Sequence, residues 1–204
     1  MEKIINNLGE VLEVDEDYLE EVVAKLKQTD LFRHNADNAL MLEKQMIFSV
    51  LAGIKKVAEV TSCHWEKTEN GRKAVADDSQ KVGEFLDSLG LKYRFYNSNE
   101  NFLTGIIAKD QKYIDEWFNG KITGYEQGVI LGYPLTAARA WQKYIEGDDE
   151  AVLSADEHDK EIKKIDLPEG VKGVFGLRFS RENYRVEIEE IKAWAQLLIK
   201  YDLV

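Results

Sequence analysis

With 204 residues, 44% of them hydrophobic, the chain is long enough to bury a core of its own. Thirty-eight acidic against twenty-seven basic residues leave a net charge of -11, which excludes general attraction to phosphate backbones or anionic membrane surfaces unless a local basic patch supplies it. A single cysteine, Cys63, excludes an internal disulfide framework, and no run approaches the roughly 18 apolar residues of a membrane span.

The amino terminus, Met1-Glu2-Lys3-Ile4-Ile5-Asn6-Asn7, lacks the basic-then-apolar plan of a secretory signal, so a cytoplasmic location is expected. Leu19, Val22, Val23 and Leu26 recur at helical spacing between Asp17 and Lys27, with Asp17 and Glu20 placed as a capping box. The helical period of Leu40, Ile47, Val50, Leu51, Ile54 and Val57 predicts a long central helix from Asn35 to about Val60. Thr61 to Gly71 breaks that pattern and reads as a loop, with an exposed turn at Glu69-Asn70-Gly71-Arg72. Asp78 or Ser79 opens another helix, which buries Val82, Phe85, Leu86 and Leu89 and stops at Gly90.

From Leu91 the period changes to two: Leu91, Tyr93 and Phe95 alternate with polar groups, and the Asn97 to Asn101 run separates them from the apolar Phe102 to Ala108. A hairpin over 91–108 is expected. A helix from Asp110 to Phe118 precedes Gly124 to Trp141, which reads as two short helices meeting at Gly132: glycine takes the left-handed conformation that ends a helix, and Pro134 suits the first turn of the next. That second helix runs to Ile145 and ends at Gly147, and Trp141, in register with Ala137, Ala138 and Ile145, is expected in the core. Ser154 and Glu157 form a capping box for a helix to about Ile165. Alternation of Val171, Gly173, Phe175, Leu177 and Phe179 predicts a strand near 172–179, and Ile188, Ile191, Trp194, Ala195 and Leu198 share one face of a final helix. There Glu187, Glu189 and Glu190 lie early and Lys192 and Lys200 late, as the helix dipole favours. The expected fold is α+β, mostly helical with a small sheet of about three strands, one domain over residues 1–204, with residues 1–30 allowing an N-terminal helical arm.

Few residues suit covalent or metal chemistry. Cys63-His64 pairs a thiol with an imidazole, but neighbours in extended chain point apart, and a lone cysteine ordinarily serves as a small buried hydrophobe. In Asp156-Glu157-His158-Asp159 with Glu161, only His158 and Glu161 share a helix face, too few ligands for a closed zinc or iron site. No phosphate-cradling glycine loop, nucleophile elbow or His-Glu-x-x-His occurs, so no cofactor, metal or catalytic residue is assigned.

Gly124, Gly128 and Gly132, spaced by four, leave one helix face bare, which lets another backbone approach closely and leaves a ligand approach as the alternative. The segment resembles a DNA-binding helix-turn-helix: Gly128 stands four before the turn glycine, Leu131 immediately before it and Trp141 nine after it, while Gln127 and Ala138 replace the larger apolar residues of that family. That resemblance implies Thr136, Arg139, Gln142 and Lys143 as groove contacts. Residues 91–145 hold seven basic and five acidic residues and are therefore net +2 against -13 elsewhere, yet Glu146, Asp148, Asp149 and Glu150 follow the helix directly and disfavour nucleic acid. Residues 89–145, through Tyr125-Glu126-Gln127-Gly128-Val129-Ile130-Leu131-Gly132-Tyr133-Pro134, also resemble small uncharacterised prokaryotic families carrying a Leu-Gly-Tyr-Pro segment, which implies a topology but no site residue. The expectation is a non-enzymatic binding or regulatory domain with a protein or small-ligand partner and a surface at Tyr125, Glu126, Gly128, Gly132, Tyr133 and Arg139. A DNA-binding regulator using residues 134–146, and a small enzyme with a site scattered in sequence, are the alternatives.

Overall fold

A computed structural model describes residues 2–5, 11–31, 42–69, 71–168, 171 and 178–203. The fold is α+β. A two-stranded ribbon, β1 (Glu2–Ile5) and β2 (Val11–Val14), leads into helix α1 (Glu16–Gln28). Asp15 caps α1 by accepting the Asp17 amide at 3.1 Å, two residues before the capping box expected from Asp17, which lies instead in the acidic first turn. Leu19, Val22, Val23 and Leu26 are buried as their spacing requires.

Two expectations for residues 35–71 are overturned. Residues 35–41 lie outside the described residues, and helix α2 runs only from Leu42 to Leu51, ending in a turn at Gly53, whose φ of 80° suits glycine. Strand β3 then covers Val57–Thr68, where a helix tail and a loop were expected, and pairs with β4 (Gly71–Ala76) as a hairpin. Val57 to Val60 fit either period over so short an apolar run; pairing of Val57–Ser62 with β6 and of Cys63–Thr68 with β4 decides for the strand. The turn falls where expected, between Thr68 and Gly71, with Asn70 outside the described residues.

Helix α3 (Ser79–Ser88), capped by Asp78, stops at Gly90 as its sequence indicates. β5 (Lys92–Ser98) and β6 (Leu103–Ala108) form the expected hairpin, with a register shift between Phe95 and Asn97. The sheet order β4-β3-β6-β5 makes four antiparallel strands, so the estimate of three understates the sheet. The strand expected near 172–179 lies largely outside the described residues; Arg178 and Phe179 are not in a strand, and Ser180 bridges Val152.

Helices cover both faces of the sheet. Ala58 and Val60 of β3, with Leu103 and Ile107 of β6, face the main core built by α1, α2, α3 and the last helix, α8 (Tyr184–Lys200). Val57, Ile106 and Ala108 face a smaller cluster with Ile114 of α4 (Gln111–Phe118) and Ile130 of α5 (Gly124–Ile130). Period-two alternation therefore sends successive residues to opposite cores, which is why all of β6 is buried. Helix α6 (Leu135–Ile145) packs on α5, and α7 (Ala155–Lys163) carries the expected Ser154–Glu157 capping box. Among the described residues, no helix is long and apolar enough to cross a membrane.

Trp141 does not enter either core cluster. It is half-buried and stacks on Tyr144 with ring centroids 5.3 Å apart, because the buried face of α6 consists of Ala137, Ala138 and Ala140. A methyl at Gly128 would lie 2.7 Å from the Ala138 Cβ, so α5 and α6 approach too closely for an indole between them. Ile145, expected on the buried side, is 51% exposed. Gly128→Ala is accordingly expected to lose about 1 to 3 kcal/mol by overpacking, more than alanine's better helix propensity returns. A chemical-denaturation curve no less stable than wild type would show that the contact has room to relax.

Candidate functional site

The α5–α6 corner begins with a cap the glycine pattern does not announce. Thr123 accepts the Glu126 amide at 3.2 Å, while the exposed Glu126 carboxylate accepts the Thr123 amide at 2.7 Å and hydroxyl at 2.9 Å, two bonds that hold the carboxyl below the usual range. Glu126 is thereby committed to folding α5. At the other end Tyr133 N–H donates to Gly128 C=O at 2.9 Å and Gly132 N–H to Val129 C=O at 3.1 Å, a Schellman turn with Gly132 at φ 80°. Pro134 is the N-cap of α6, one position before the first-turn place expected for it.

Each glycine of the stripe meets protein. The face of Gly124 lies against Ile145 and Gln142, that of Gly128 against Ala138, and that of Gly132 against the Ile54 carbonyl, 2.9 Å from where a Cβ would stand. Gln142 completes the join by accepting the Tyr125 amide at 3.0 Å. Of the six expected surface residues, Gly128 and Gly132 are buried in packing, Tyr133 packs against the main core and Glu126 caps a helix. Tyr125 and Arg139 remain at openings.

A lysine that sequence reading passed over ties the corner to the sheet. Lys55 Nζ donates to the Leu131 carbonyl at 2.6 Å, and the Lys56 amide donates to Ile130 C=O at 2.9 Å. The cation sits at the negative end of α5, where a helix favours it, but burial lowers its pKa to about 8.

Arg139 and Lys143, one turn apart on α6, open on two hollows. One is a shallow groove with Tyr125 and Gln142, of about 380 Å³. The other is a cleft of about 510 Å³, in which α6 faces the turn at Asp148–Ala151 and the Ser180–Asn183 segment that starts α8. Its far wall is held by Arg181, whose guanidinium forks onto Glu157 at 2.8 and 2.9 Å and also donates to the carbonyls of Glu150 and Val152. The Arg181 fork, with the Ser154 bonds, brings the Glu157 pKa down to about 2. Behind the cleft floor the fully buried Glu187 accepts from Ser180 Oγ at 2.5 Å and Ser180 N at 2.8 Å, with Thr136 close by; burial raises its pKa, against the lowering by those neighbours. Placement early in α8 flagged Glu187 only as a dipole partner, and nothing in the sequence links it to Thr136. A third hollow, of about 470 Å³, lies between α4 and α5 at Ile122, Tyr125 and Val129.

Neither sequence cluster forms a site with these clefts. Cys63 is fully buried and its pKa is raised to about 11, first by burial and then by Asp77 and Glu43. His64, its neighbour on a strand, is half-exposed and meets Asp77 at 3.1 Å and Glu66 at 3.3 Å. Bonds to Glu66 and then Asp77 raise its pKa. His158 stacks on Phe179, and Glu161 pairs with Lys164 at 2.6 Å. Among the described residues no group of three or more His, Cys, Asp or Glu is placed to hold a metal ion. Comparison of the chain with protein-family models, curated proteins and solved structures returns no match.

Two outcomes follow from these environments. Between about pH 8 and 10.5 the unfolded chain holds a proton on Lys55 that the folded chain has released, so wild type should gain stability with rising pH relative to Lys55→Met; equal slopes in paired denaturation series would contradict this. Cys63 in native protein should resist an aromatic disulfide reagent at pH 8 and react only on unfolding. Prompt labelling of folded protein would mean that the thiol is open to solvent.

Proposed function

We propose that this protein is a cytoplasmic, non-enzymatic binding domain that takes a small polar ligand at the α6 face of the corner, in the cleft between α6, the 148–151 turn and the start of α8. The observation that carries the reading is the placement of Arg139 beside Lys143: both line the cleft and the adjoining groove, and neither side chain makes an ion pair or hydrogen bond to another described residue. A cleft of this size suits a small molecule. Tyr125 extends the same surface through the groove.

The DNA alternative draws less support. Of its four contact candidates, Thr136 lies against the buried Glu187 and Gln142 bonds Tyr125 and Glu146, which leaves Arg139 and Lys143. Asp148, Glu150 and Glu182 stand in the same cleft and repel phosphates. Nor does Glu187 favour catalysis, since both carboxylate oxygens are occupied by Ser180 behind the floor.

Equilibrium dialysis against a small-molecule extract of the native cells, read by mass spectrometry, tests the proposal. Wild type should enrich at least one compound that Arg139→Glu/Lys143→Glu, folded by circular dichroism, does not. Equal enrichment, or none, would overturn it.

A further inference from the structure

Charges of opposite sign share the large cleft, and only some of them neutralise one another. It is lined by three cations, Arg139, Lys143 and Arg181, and three carboxylates, Asp148, Glu150 and Glu182. Arg181 and Glu150 pair at 3.3 Å, with Arg181 held further by Glu157. That leaves two cations on α6 and two carboxylates, Asp148 and Glu182, with no ion pair among the described residues.

The floor adds direction to this balance. Ser180, 4% exposed, gives its hydroxyl proton to Glu187 and accepts the Asn183 amide at 3.0 Å, so the free capacity of its oxygen is one acceptor lone pair. Thr136 lies close to Glu187 and lines the same cleft. Hydroxyl oxygens backed by a carboxylate receive N–H donors, and an ammonium best of all. Further along α6 the cleft is lined by charged donors, Arg139 and Lys143. A purely anionic ligand would meet Asp148 and Glu182, and a purely cationic one Arg139 and Lys143; either leaves like charges within one cleft.

We infer that the ligand is a zwitterion of amino-acid to short-peptide size, its carboxylate on Arg139 and Lys143 and its ammonium toward Ser180, Thr136 and the Asp148 and Glu182 carboxylates. The inference rests on the binding-domain reading above and narrows it to one chemical class.

Diglycine to pentaglycine, whose terminal charges are separated by steps of one residue, serve as probes in calorimetry. At least one length should bind below about 10 mM, and acetylating its amine or amidating its carboxylate should each weaken binding by about tenfold or more. Asp148→Asn/Glu182→Gln should abolish the effect of acetylation, and Arg139→Ala/Lys143→Ala that of amidation, both variants being checked for native circular dichroism. Binding of the acetylated peptides as tight as that of the free ones, still dependent on Arg139, would overturn the zwitterion while the binding-domain reading stands. If no length binds but dialysis enriches a ligand of a single charge sign, the class is again wrong and the cleft right. Failure of both experiments removes both.

Discussion

Where Gly128 meets Ala138, the α5 and α6 backbones approach until a single added methyl would stand 2.7 Å from the alanine's own. Close-packed interiors leave no slack for such a group. The contact sets the angle at which α6 leaves the corner, and with it the side of α6 that faces solvent. Ala137 and Ala138 turn inward, while Arg139 and Lys143 project outward. The same intimacy excludes Trp141 from the interior and places it on Tyr144 instead.

Charge placed at the right end of a helix fastens this corner to the rest of the molecule. Lys55 donates to the last turn of α5, and Lys109 donates to the Leu51 carbonyl at the end of α2, at 3.2 Å. Both amines are shifted down by burial, Lys109 also by Lys56. The carbonyls there lack intrahelical partners, so each cation meets an acceptor that would otherwise be unsatisfied. Arg181 acts similarly on the opposite wall, bringing together two carbonyls and the capping carboxylate of α7. The cleft lies between α6 and the wall that Arg181 holds, and its floor is polar because Glu187 is buried against the Ser180 hydroxyl instead of a cation.

Local signals were legible wherever the physics is local. The Ser154–Glu157 box, the stops at Gly90 and Gly147, the Gly132 turn and the apolar faces of α1 and α8 each depend on groups within about a turn or two of one another, and all appear at or near the expected positions. The 91–108 hairpin belongs with them, since its strands are joined by a short polar turn. Residues 57–68 did not: the short apolar run at Val57 to Val60 satisfies helix and strand alike and the pattern then breaks, and the strand is made by pairing of Val57–Ser62 with the sequence-distant β6 and of Cys63–Thr68 with β4.

By itself, then, the sequence determined the class of fold, most helix ends, the hairpin and the bare face of α5, all through steric and hydrogen-bonding preferences between near neighbours. Tertiary structure decided which residues that bare face admits, the burial of Lys55 against a carbonyl 76 residues on, and the meeting of Arg139, Ser180 and Glu182 at one cleft. Contacts of that kind depend on how elements dock. Docking is set by the summed shape and burial of many side chains at once, which no local spacing records.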